Sequence, residues 1–214
     1  MKIITGQYGG RRFDPPRNLN ARPTTDLAKQ ALFNILQNRM DLEGCRALDL
    51  FSGTGSISFE LLSRGAARVV SVEMGHTQQQ FIQKVAALLN VPRSRHQLIR
   101  GDVFRYLNTP PALAIGASTP SAPSLGASAP SSPSLGSGAP SSAPPFDLIF
   151  ADPPYDLADL DKLPDLVLQP GWLAPDGIFI LEHGKSSDFS AHPLFQELRT
   201  YGAVHFSFFQ HPRP

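Results

Sequence analysis

The sequence has little cysteine, little net charge and no long apolar run, and each shortage excludes a class of protein. Its 214 residues include one cysteine, Cys45, so the chain cannot hold a disulfide framework, and we expect a reducing, cytoplasmic compartment. A formal net charge of +1 indicates neither a nucleic-acid nor a membrane partner. No apolar run approaches the ~20 residues of a transmembrane helix, and residues 1–6 lack a signal peptide's apolar core, so we expect no membrane partner and no secretion.

Metal ligands are also scarce. The six histidines are scattered and form no pair at ligand spacing with each other or with the cysteine, so we expect no metal. The hydrophobic fraction of 41% is enough for a core. At ~150 residues per domain, the length predicts one domain with an extension.

Charge is distributed unevenly along the chain. Residues 1–22 contain five basic residues and one acidic residue, whereas residues 147–182 contain eight acidic residues and one basic residue. This asymmetry is typical of a basic arm that binds a polyanion and is attached to a larger body. Two ordinary solvated faces would show the same asymmetry, so charge alone leaves both interpretations open.

Residues 110–145 differ from the rest in composition. They contain no charged residue, are rich in Pro, Ser, Ala and Gly, and repeat with a ten-residue period from Gly116 and again from Gly126. Such a segment cannot bury enough apolar surface to offset the entropy of ordering it, which predicts a disordered, partly polyproline-II loop. A ligand for a proline-binding domain is the lesser alternative.

Outside this segment, strand patterns alternate with helix patterns. The predicted strands are 47–51, 68–73, 97–100, 146–152, 177–182 and 204–209, the last one paired near 198–201. The predicted helices are a first one capped by Thr24 or Thr25, with Leu27, Ala31, Leu32, Ile35 and Leu36 on its apolar face, and two more over 57–62 and 77–89. Residues 2–13 predict a hairpin. The alternation predicts an α/β fold with a doubly wound, mostly parallel sheet.

A glycine-rich turn follows the first predicted parallel strand. The run Asp49-Leu-Phe-Ser-Gly53-Thr-Gly55-Ser leaves that strand and opens a helix. Glycines allow a tight turn and a close approach of the backbone to a ligand, and a helix N-terminus can bind an anionic group. The turn favours a nucleotide-like cofactor over a connection without a ligand.

Acidic residues follow the next two strands. Glu73 ends the second strand, 18 residues after Gly55, where its carboxylate can accept from both hydroxyls of a ribose. A carboxylate that starts a helix is the alternative. Asp102 follows the third strand and could accept from an adenine amino group, although an Asx turn explains it equally well.

The run Asp152-Pro153-Pro154-Tyr155 ends a very apolar strand. Two prolines fix φ and remove N–H donors, which leaves carbonyl groups and the Asp152 carboxylate as acceptors. Acceptors aimed at both N–H bonds of a nucleobase amine would orient its poorly nucleophilic nitrogen for attack, and Tyr155 offers a flat face for the base. A rigid turn without a catalytic role is the alternative.

Together these residues resemble the class I S-adenosylmethionine methyltransferases that act on amino nitrogens. More narrowly, the chain resembles the RsmD-type family of 16S rRNA guanine-N2 methyltransferases, over nearly everything except residues 110–145. The narrower resemblance rests on these motifs: Gly6-x-x-Gly-Gly10-Arg11-Arg12-Phe13 with Pro16, Arg22-Pro23-Thr24, Ala31-Leu32-Phe33-Asn34-Ile35-Leu36, Asp49-Leu-Phe-Ser-Gly-Thr-Gly-Ser, Phe150-Ala-Asp-Pro-Pro-Tyr155, Glu182-His183 and Tyr201-Gly202.

The resemblance implies a seven-stranded Rossmann-like sheet with an antiparallel final hairpin, in a methyltransferase domain at 41–214 preceded by an RNA-contacting hairpin and helix at 1–40. It implies S-adenosylmethionine as cofactor, ribosomal RNA or the assembling small subunit as partner, and a monomer. The implied residues are Asp49, Phe51, Gly53, Gly55, Glu73, Asp102 and Val103 for the cofactor, Asp152, Pro153 and Tyr155 for catalysis, and Arg11, Arg12, Arg22, Thr24 and Tyr155 for RNA. His183 either lines the pocket or makes a structural hydrogen bond.

Two departures and four alternatives accompany this interpretation, and one of the four, a release-factor glutamine methyltransferase, would favour Asn at the position of Asp152. The repeat segment is not typical of the family, and Met74-Gly75 replaces the polar residues that usually follow the ribose-binding acid. A DNA adenine or cytosine amino methyltransferase shares the Asp-Pro-Pro-Tyr motif, but the chain has little room for a DNA-reading domain. A Rossmann dehydrogenase would need a third glycine where Ser58 stands. A non-catalytic RNA-binding module would not need the proline motif.

Overall fold

The computed structural model describes residues 1–16, 26–116 and 145–212. The strands are β1 (Arg46–Leu50), β2 (Arg68–Glu73), β3 (His96–Arg100), β4 (Phe146–Ala151), β5 (Leu173–His183), β6 (Phe195–Tyr201) and β7 (Val204–Phe209). The helices are α1 (Asp26–Gln37), α2 (Ser56–Ser63), α3 (His76–Leu88), α4 (Val103–Leu107), α5 (Pro111–Gly116) and α6 (Leu163–Val167), with a 3-10 turn at Leu160–Lys162.

The strands form one seven-stranded sheet in the order β3-β2-β1-β4-β5-β7-β6. Strands β1 to β5 pair in parallel, and β7 runs antiparallel to both β5 and β6. The chain winds outward from β1 to β3 and then outward the other way from β4, so helices cover both faces. The doubly wound, mostly parallel sheet and its antiparallel final hairpin are therefore confirmed.

Each face of the sheet carries its own apolar cluster. The N-terminal hairpin, α1, α2 and α3 cover the first face, and α4, α5 and α6 cover the second. In β4, Leu148 and Phe150 point to the first cluster, whereas Ile149 and Ala151 point to the second. Burial on both faces explains why this strand is apolar throughout, as central parallel strands are.

The N-terminal residues form a short antiparallel ladder. A bridge pairs Lys2 with Arg12, and the Ile3 N–H donates to the Arg11 carbonyl at 3.0 Å. The turn of this hairpin packs against the end of α2, where a Cβ on Gly6 would lie 1.9 Å from the Ser63 carbonyl oxygen. Only glycine fits there, since its φ of 84° is also left-handed.

Some predictions about these elements are wrong. Leu27 is 75% exposed, because the buried face of α1 is set by Ala28, Leu32 and Leu36 at four-residue spacing. Helix α5 occupies the first residues of the segment expected to be disordered, since Ala114 packs against the second-face cluster. Residues 117–144, the rest of that segment, lie outside the described residues, as do the Thr24 and Thr25 caps.

Other bounds differ by a few residues. Strand β5 begins at Leu173 rather than at 177, because a register shift lets Leu173 pair with Phe146. Phe51 belongs to the turn after β1 rather than to the strand. In the part of the chain that the structure describes, no helix is both long and apolar enough to cross a bilayer.

Candidate functional site

The carboxyl ends of the parallel strands β1 to β4 meet at one edge of the sheet. Leu50 of β1 pairs with Val72 of β2 on one side and with Ala151 of β4 on the other, and Val72 pairs with Ile99 of β3. The residues that follow each of these positions therefore lie side by side. This edge is where open α/β sheets bind ligands, at the point where the strand order reverses.

The glycine-rich turn has a left-handed backbone at every second residue. Phe51, Gly53 and Gly55 have φ values of 59°, 54° and 74°. Left-handed backbone costs an ordinary residue about 1–2 kcal/mol, so Phe51 marks a strained position of the kind found at ligand sites. Packing requires glycine at 55, where a Cβ would lie 2.8 Å from Phe59, but the space beside Gly53 is open apart from the Phe51 carbonyl at 3.9 Å.

Glu73 joins this turn to the end of β2. Its Oε2 accepts from the Gly53 N–H at 2.7 Å and its Oε1 from the Gly75 N–H at 2.7 Å. Burial raises the pKa of Glu73, and the backbone hydrogen bonds from Gly75, Gly53 and Met74 oppose that rise. A carboxylate has about four lone-pair sites, so with three backbone hydrogen bonds Glu73 keeps about one acceptor position for a hydroxyl.

The residues after Glu73 depart from the expected polar pair. Met74 is exposed, and the turn is held instead by the Gln79 side chain, whose amide donates to the carbonyls of Glu73 and Met74 at 2.9 and 3.0 Å. The backbone after the acid is thus fixed without polar side chains at 74 and 75.

Asp49 is buried and bonded within the protein. Its Oδ2 accepts from the Ser58 N–H at 3.1 Å and from the Ser58 hydroxyl, which satisfies a donor in the first turn of α2. Ser58 and Ser71 share a 2.6 Å hydrogen bond, and the Ser71 hydroxyl lies 2.8 Å from Nε2 of His96. These side chains form a hydrogen-bond chain that ends on the Asp49 carboxylate. When Asp49 is ionised, every donated hydrogen in this hydrogen-bond chain therefore points toward it.

Both ends of this hydrogen-bond chain have displaced pKa values. Burial, together with the charges of Asp152 and Glu73, raises the pKa of Asp49 to about 7 despite the opposing hydrogen bonds from Ser58. Burial lowers the pKa of His96 to about 4. The structure therefore gives Asp49 the task of holding α2 behind the turn, and a direct cofactor contact stays a prediction.

Asp102 caps helix α4. Its Oδ1 accepts from the Arg105 N–H at 2.8 Å, which is a side-chain N-cap, and its carboxylate is exposed at the end of β3. Val103 follows as the first residue of α4 and is buried. Because it stands at the start of the helix, its N–H is one of the donors that have no partner within the helix. Phe51 and Phe104 meet edge to face, with centroids 6.5 Å apart.

The proline motif leaves β4 beside the glycine turn. The Asp152 N–H donates to the Leu50 carbonyl at 3.3 Å, which ties the start of the motif to the end of β1. Pro153 is buried, and Tyr155 is 50% exposed. A Cβ on Gly184 would lie 3.2 Å from the Tyr155 ring, so the ring rests on the backbone after β5.

His183 has a structural role. Its Nδ1 donates to the Gly184 carbonyl at 2.8 Å, and its Nε2 lies 2.8 Å from the Ser207 hydroxyl. It is 2% exposed, and burial lowers its pKa. Of the two alternatives for His183, the structural hydrogen bond is the one observed, and it fixes the backbone beneath Tyr155.

The N-terminal arm is fastened to α2 by two buried charges. Glu60 accepts from the N–H groups of Ile4 at 2.6 Å and Thr5 at 3.2 Å, and its carboxylate lies 3.7 Å from the Lys29 ammonium. Lys29 donates to the Lys2 carbonyl and to the Ser56 hydroxyl. Because Ser56 directly follows the glycine turn, the start of the arm lies beside that turn.

The two described arginines of the arm differ in position. Arg12 pairs with Lys2, near the glycine turn, whereas the hairpin tip lies about 10 Å away at the other end of α2. The Arg11 guanidinium lies 5.9 Å from the centroid of the Tyr8 ring, and both arginines are exposed. Arg22 and Thr24, the other predicted RNA contacts, lie outside the described residues.

Lys29 and Glu60 were missed by the sequence prediction. The signal was present, since Glu60 stands within Ile57-Ser-Phe-Glu-Leu-Leu62, an otherwise apolar stretch that must be buried. A carboxylate in such a stretch needs a charged partner. The sequence did not say which lysine or arginine supplies it.

Comparisons with known proteins agree with this architecture. The profile of the family described as Conserved hypothetical protein 95 matches residues 1–114 and 132–210. A Rickettsia prowazekii protein named as an uncharacterized methylase is 29% identical over 219 residues, which cover 93% of this chain and 92% of that protein. Two proteins named ribosomal RNA small subunit methyltransferase D are each 26% identical: the Haemophilus influenzae protein over 86% of this chain and 79% of its own length, and the Escherichia coli protein over 85% and 74%.

Solved structures share the fold. The candidate methyltransferase yhhF from Escherichia coli has a TM-score of 0.73 at 23% identity, over 100% of this chain and 99% of that chain. SMU.776, another candidate methyltransferase, was solved complexed with SAH and has a TM-score of 0.57 at 17% identity, over 86% of this chain and 49% of that chain. At these identities the likeness shows the fold alone. Because the family profile covers both the N-terminal arm and the sheet, the chain belongs to the family described as Conserved hypothetical protein 95 and has the fold of methyltransferases.

Proposed function

We propose that this protein is an S-adenosylmethionine-dependent methyltransferase that methylates the exocyclic N2 amine of a guanine in 16S ribosomal RNA. One observation carries the proposal. Glu73 ends β2, the glycine turn follows β1, and Asp152 with Tyr155 follows β4; these three strands lie side by side in the order β2-β1-β4 and end in register at the same edge of the sheet. The proposed ribose-binding acid and the proposed amine-binding motif thereby lie on either side of the glycine turn.

The residues at this edge fit S-adenosylmethionine. Glu73 retains an acceptor position for a ribose hydroxyl, and the open space beside Gly53 admits a ligand against the backbone. Asp102 and the Val103 N–H stand beyond β3, where they can meet an adenine edge. When bound, the cofactor supplies an electrophilic methyl group. Relatives named as methyltransferases, and the SAH-bound structure that shares the fold, support this assignment.

Asp152 orients the accepting amine. Its carboxylate and the carbonyls of the two prolines accept from the two N–H bonds, which directs the nitrogen lone pair toward the cofactor side of the edge. Transfer would exchange one N–H bond of the amine for a bond to the methyl group, with the cofactor's thioether as the neutral leaving group, and the carboxylate of Asp152 would take up the released proton. Pro153, buried under the motif, keeps these acceptors fixed.

Tyr155 holds the base. Its ring is supported from below by Gly184 and half exposed above, so a purine can stack on it. The amine of a paired guanine lies inside the duplex, and therefore the target guanine must be unpaired or turned out of its stack.

The arm supplies phosphate contacts. Arg11 and Arg12 are exposed on a hairpin that Glu60 and Lys29 fasten to the start of α2. RNA bound along the arm therefore lies next to the reacting edge. The two relatives named ribosomal RNA small subunit methyltransferase D support ribosomal RNA as the polyanion.

Transfer of a labelled methyl group tests the proposal. Naked 16S rRNA and small subunits, both from a strain that lacks the enzyme, are incubated with the protein and labelled S-adenosylmethionine, and the RNA is digested to nucleosides. We expect N2-methylguanosine. DNA is added in a parallel reaction, and methylated adenine or cytosine there, with no methylated RNA, would instead identify a DNA amino methyltransferase. Failure to bind S-adenosylmethionine would instead identify a non-catalytic RNA-binding module.

A further inference from the structure

Buried donors without a partner gather at the opposite edge of the sheet. Within residues 1–16, 26–116 and 145–212, five buried side-chain atoms have no hydrogen-bond partner: Nε and Nη2 of Arg46, Nε of Arg68, Oη of Tyr106 and Nε1 of Trp172. Four of them can only donate, and the fifth is a hydroxyl that can also donate. Buried polar groups are nearly always paired, so this group calls for an acceptor.

Strand pairing, charge, aromatic packing and a backbone hydrogen bond link these four residues, through Phe146, into a group that we call the donor ring. Arg46 and Arg68 stand directly opposite each other in β1 and β2, and the charge of Arg68 acts on the Tyr106 hydroxyl. The rings of Tyr106 and Trp172 have centroids 5.1 Å apart. The Trp172 carbonyl accepts from the Phe146 N–H at 2.8 Å, and the Phe146 ring centroid lies 6.0 Å from the Arg46 guanidinium.

All of the side chains lie on the second face. Leu48 and Val70 belong to the second-face cluster, so Arg46 and Arg68, two residues earlier in the same strands, share that face. Tyr106 and Trp172 are members of the same cluster. The two arginines are half-buried, which leaves the ring reachable from the amino-terminal edge.

The ring carries two like charges. Burial lowers the pKa of Arg46, and the charge of Arg68 lowers it further. Among the ion pairs of the described residues, none includes Arg46 or Arg68. Asp147 faces Arg46: its Oδ2 accepts from the Arg46 backbone N–H at 2.8 Å, and its charge raises the pKa of Arg46, which offsets part of the effect of Arg68. Gln97 accepts from Nη2 of Arg68 and adds no charge.

We propose that Arg46, Arg68, Tyr106 and Trp172 form a binding site for a phosphate-class oxyanion at the amino-terminal edge of the sheet. The ligand must be rich in acceptors, because the ring offers donors, and it must be anionic, because the ring holds two guanidinium groups. A tetrahedral phosphate group presents oxygens in several directions and can serve donors from four side chains, whereas a planar carboxylate presents two oxygens.

This site is distinct from the proposed cofactor site. Arg46 begins β1 and Leu50 ends it, so the two edges are about 13 Å apart. Binding at the ring can therefore be measured without the cofactor or RNA, and its failure would not affect the proposed methyl transfer.

The test uses the tryptophan in the ring. Trp172 is the only tryptophan of the chain, so its emission reports on this site alone. Inorganic phosphate is titrated into the full-length protein, with sodium chloride at matched ionic strength as reference. We expect a saturable change in emission and a higher unfolding temperature. Arg46→Met and Arg68→Met should each weaken phosphate binding at least tenfold, whereas Arg93→Met, at an exposed arginine, should leave it unchanged.

Two further measurements keep the outcome unambiguous. In phosphate-free buffer, Arg46→Met should unfold at the same or a higher temperature, because it removes buried donors that lack partners. Should either methionine variant fail to fold, Tyr106→Phe serves instead. It keeps the aromatic side chain, removes only the hydroxyl and is expected to weaken phosphate binding about threefold. A change in emission that does not saturate with phosphate, or that is equal in all variants, would overturn the proposed site. Tighter binding of acetate than of phosphate would overturn the proposed ligand class.

Discussion

Oε2 of Glu73 accepts the Gly53 N–H at 2.7 Å, across the ends of β1 and β2. The acid predicted to bind ribose is thus also a brace for the glycine turn. Its other oxygen accepts from the Gly75 N–H, so the carboxylate fixes the backbone of the glycine turn and of the residues after β2. Loss of Glu73 should therefore affect both the shape of the turn and the contacts with the ligand.

Glu73→Gln should raise the dissociation constant of S-adenosylhomocysteine by about 10–100-fold. Glutamine keeps one oxygen but sets its NH₂ group against a backbone N–H, and a hydrogen bond to a charged group contributes about 1.5–3 kcal/mol. Calorimetric titration measures the change. Glu43→Gln, at an exposed position, is the matched control, and equal affinity in the two variants would contradict the ribose role.

Asp152→Ala should lower the rate of methyl transfer by about 10²–10³-fold, the usual effect of removing one preorganised hydrogen-bonding group. The affinity for the cofactor should stay within a few fold, because Asp152 is proposed to hold the amine. Single-turnover kinetics and cofactor titration separate the two quantities. Asp156→Ala, exposed in the same loop, should change neither. Comparable losses of binding and of rate at Asp152 would reject its role.

Arg11→Gln combined with Arg12→Gln should weaken rRNA binding. The slope of the logarithm of the binding constant against the logarithm of the salt concentration should become shallower by about two. Each exposed guanidinium that neutralises a phosphate releases a counterion, whereas the cofactor site is untouched. Filter binding over a range of salt concentrations gives the slope. With Arg93→Gln the slope should stay at the wild-type value. If the double variant also keeps that slope, the arm is not part of the RNA interface.

The hydrogen-bond chain from Asp49 to His96 predicts opposite pH effects at its two ends. The raised pKa of Asp49, about 7 against an ordinary 3.8, keeps a proton on the folded state, so its contribution to the free energy of unfolding falls as pH rises from about 4 to about 7. The lowered pKa of His96, about 4 against 6.5, makes its contribution rise between those two values.

Variants at the two ends should separate these contributions. Relative to wild type, the free energy of unfolding of Asp49→Asn should increase as pH rises from 4 to 7. That of His96→Gln, which keeps a hydrogen-bond donor for Ser71, should decrease relative to wild type as pH rises from 4 to 6.5. For either variant, the free energy of unfolding relative to wild type should change by at most about 1.4 kcal/mol per pH unit. Denaturant unfolding at several pH values measures both, with the exposed Asp41→Asn as reference. Slopes of the same sign in the two variants would contradict the assignment.

Replacing residues 117–144 with a short Gly-Ser linker should leave methyl transfer nearly intact. Pro145 directly precedes β4, and Pro111 lies against Gly171 ahead of β5, so the segment leaves and re-enters at the amino-terminal edge. Helix α5 is kept because Ala114 is buried. Stability should change by no more than about 1–2 kcal/mol, since loop closure depends weakly on length. A tenfold loss of turnover at an unchanged unfolding temperature would place the segment near the substrate.

Much of the fold was predictable because its signals are local. Strand β2 and strand β7 have the predicted bounds, since each is a short apolar run between turn residues. The glycine turn was recognisable from Gly53 and Gly55, because left-handed backbone restricts the residue type. Helices α4 and α6 were missed, since five residues are too few to show a helical period.

The sequence by itself determined the alternation of elements, the glycine turn and the edge of the sheet to which Glu73 and Asp152 belong. Only the tertiary structure decided which polar residues meet. Asp49 bonds Ser58, Glu60 bonds Ile4, and Arg46 faces Arg68, over separations of 9, 56 and 22 residues. These pairings depend on strand order and helix packing, which bring distant residues together only after the chain has folded, so no local pattern can specify them.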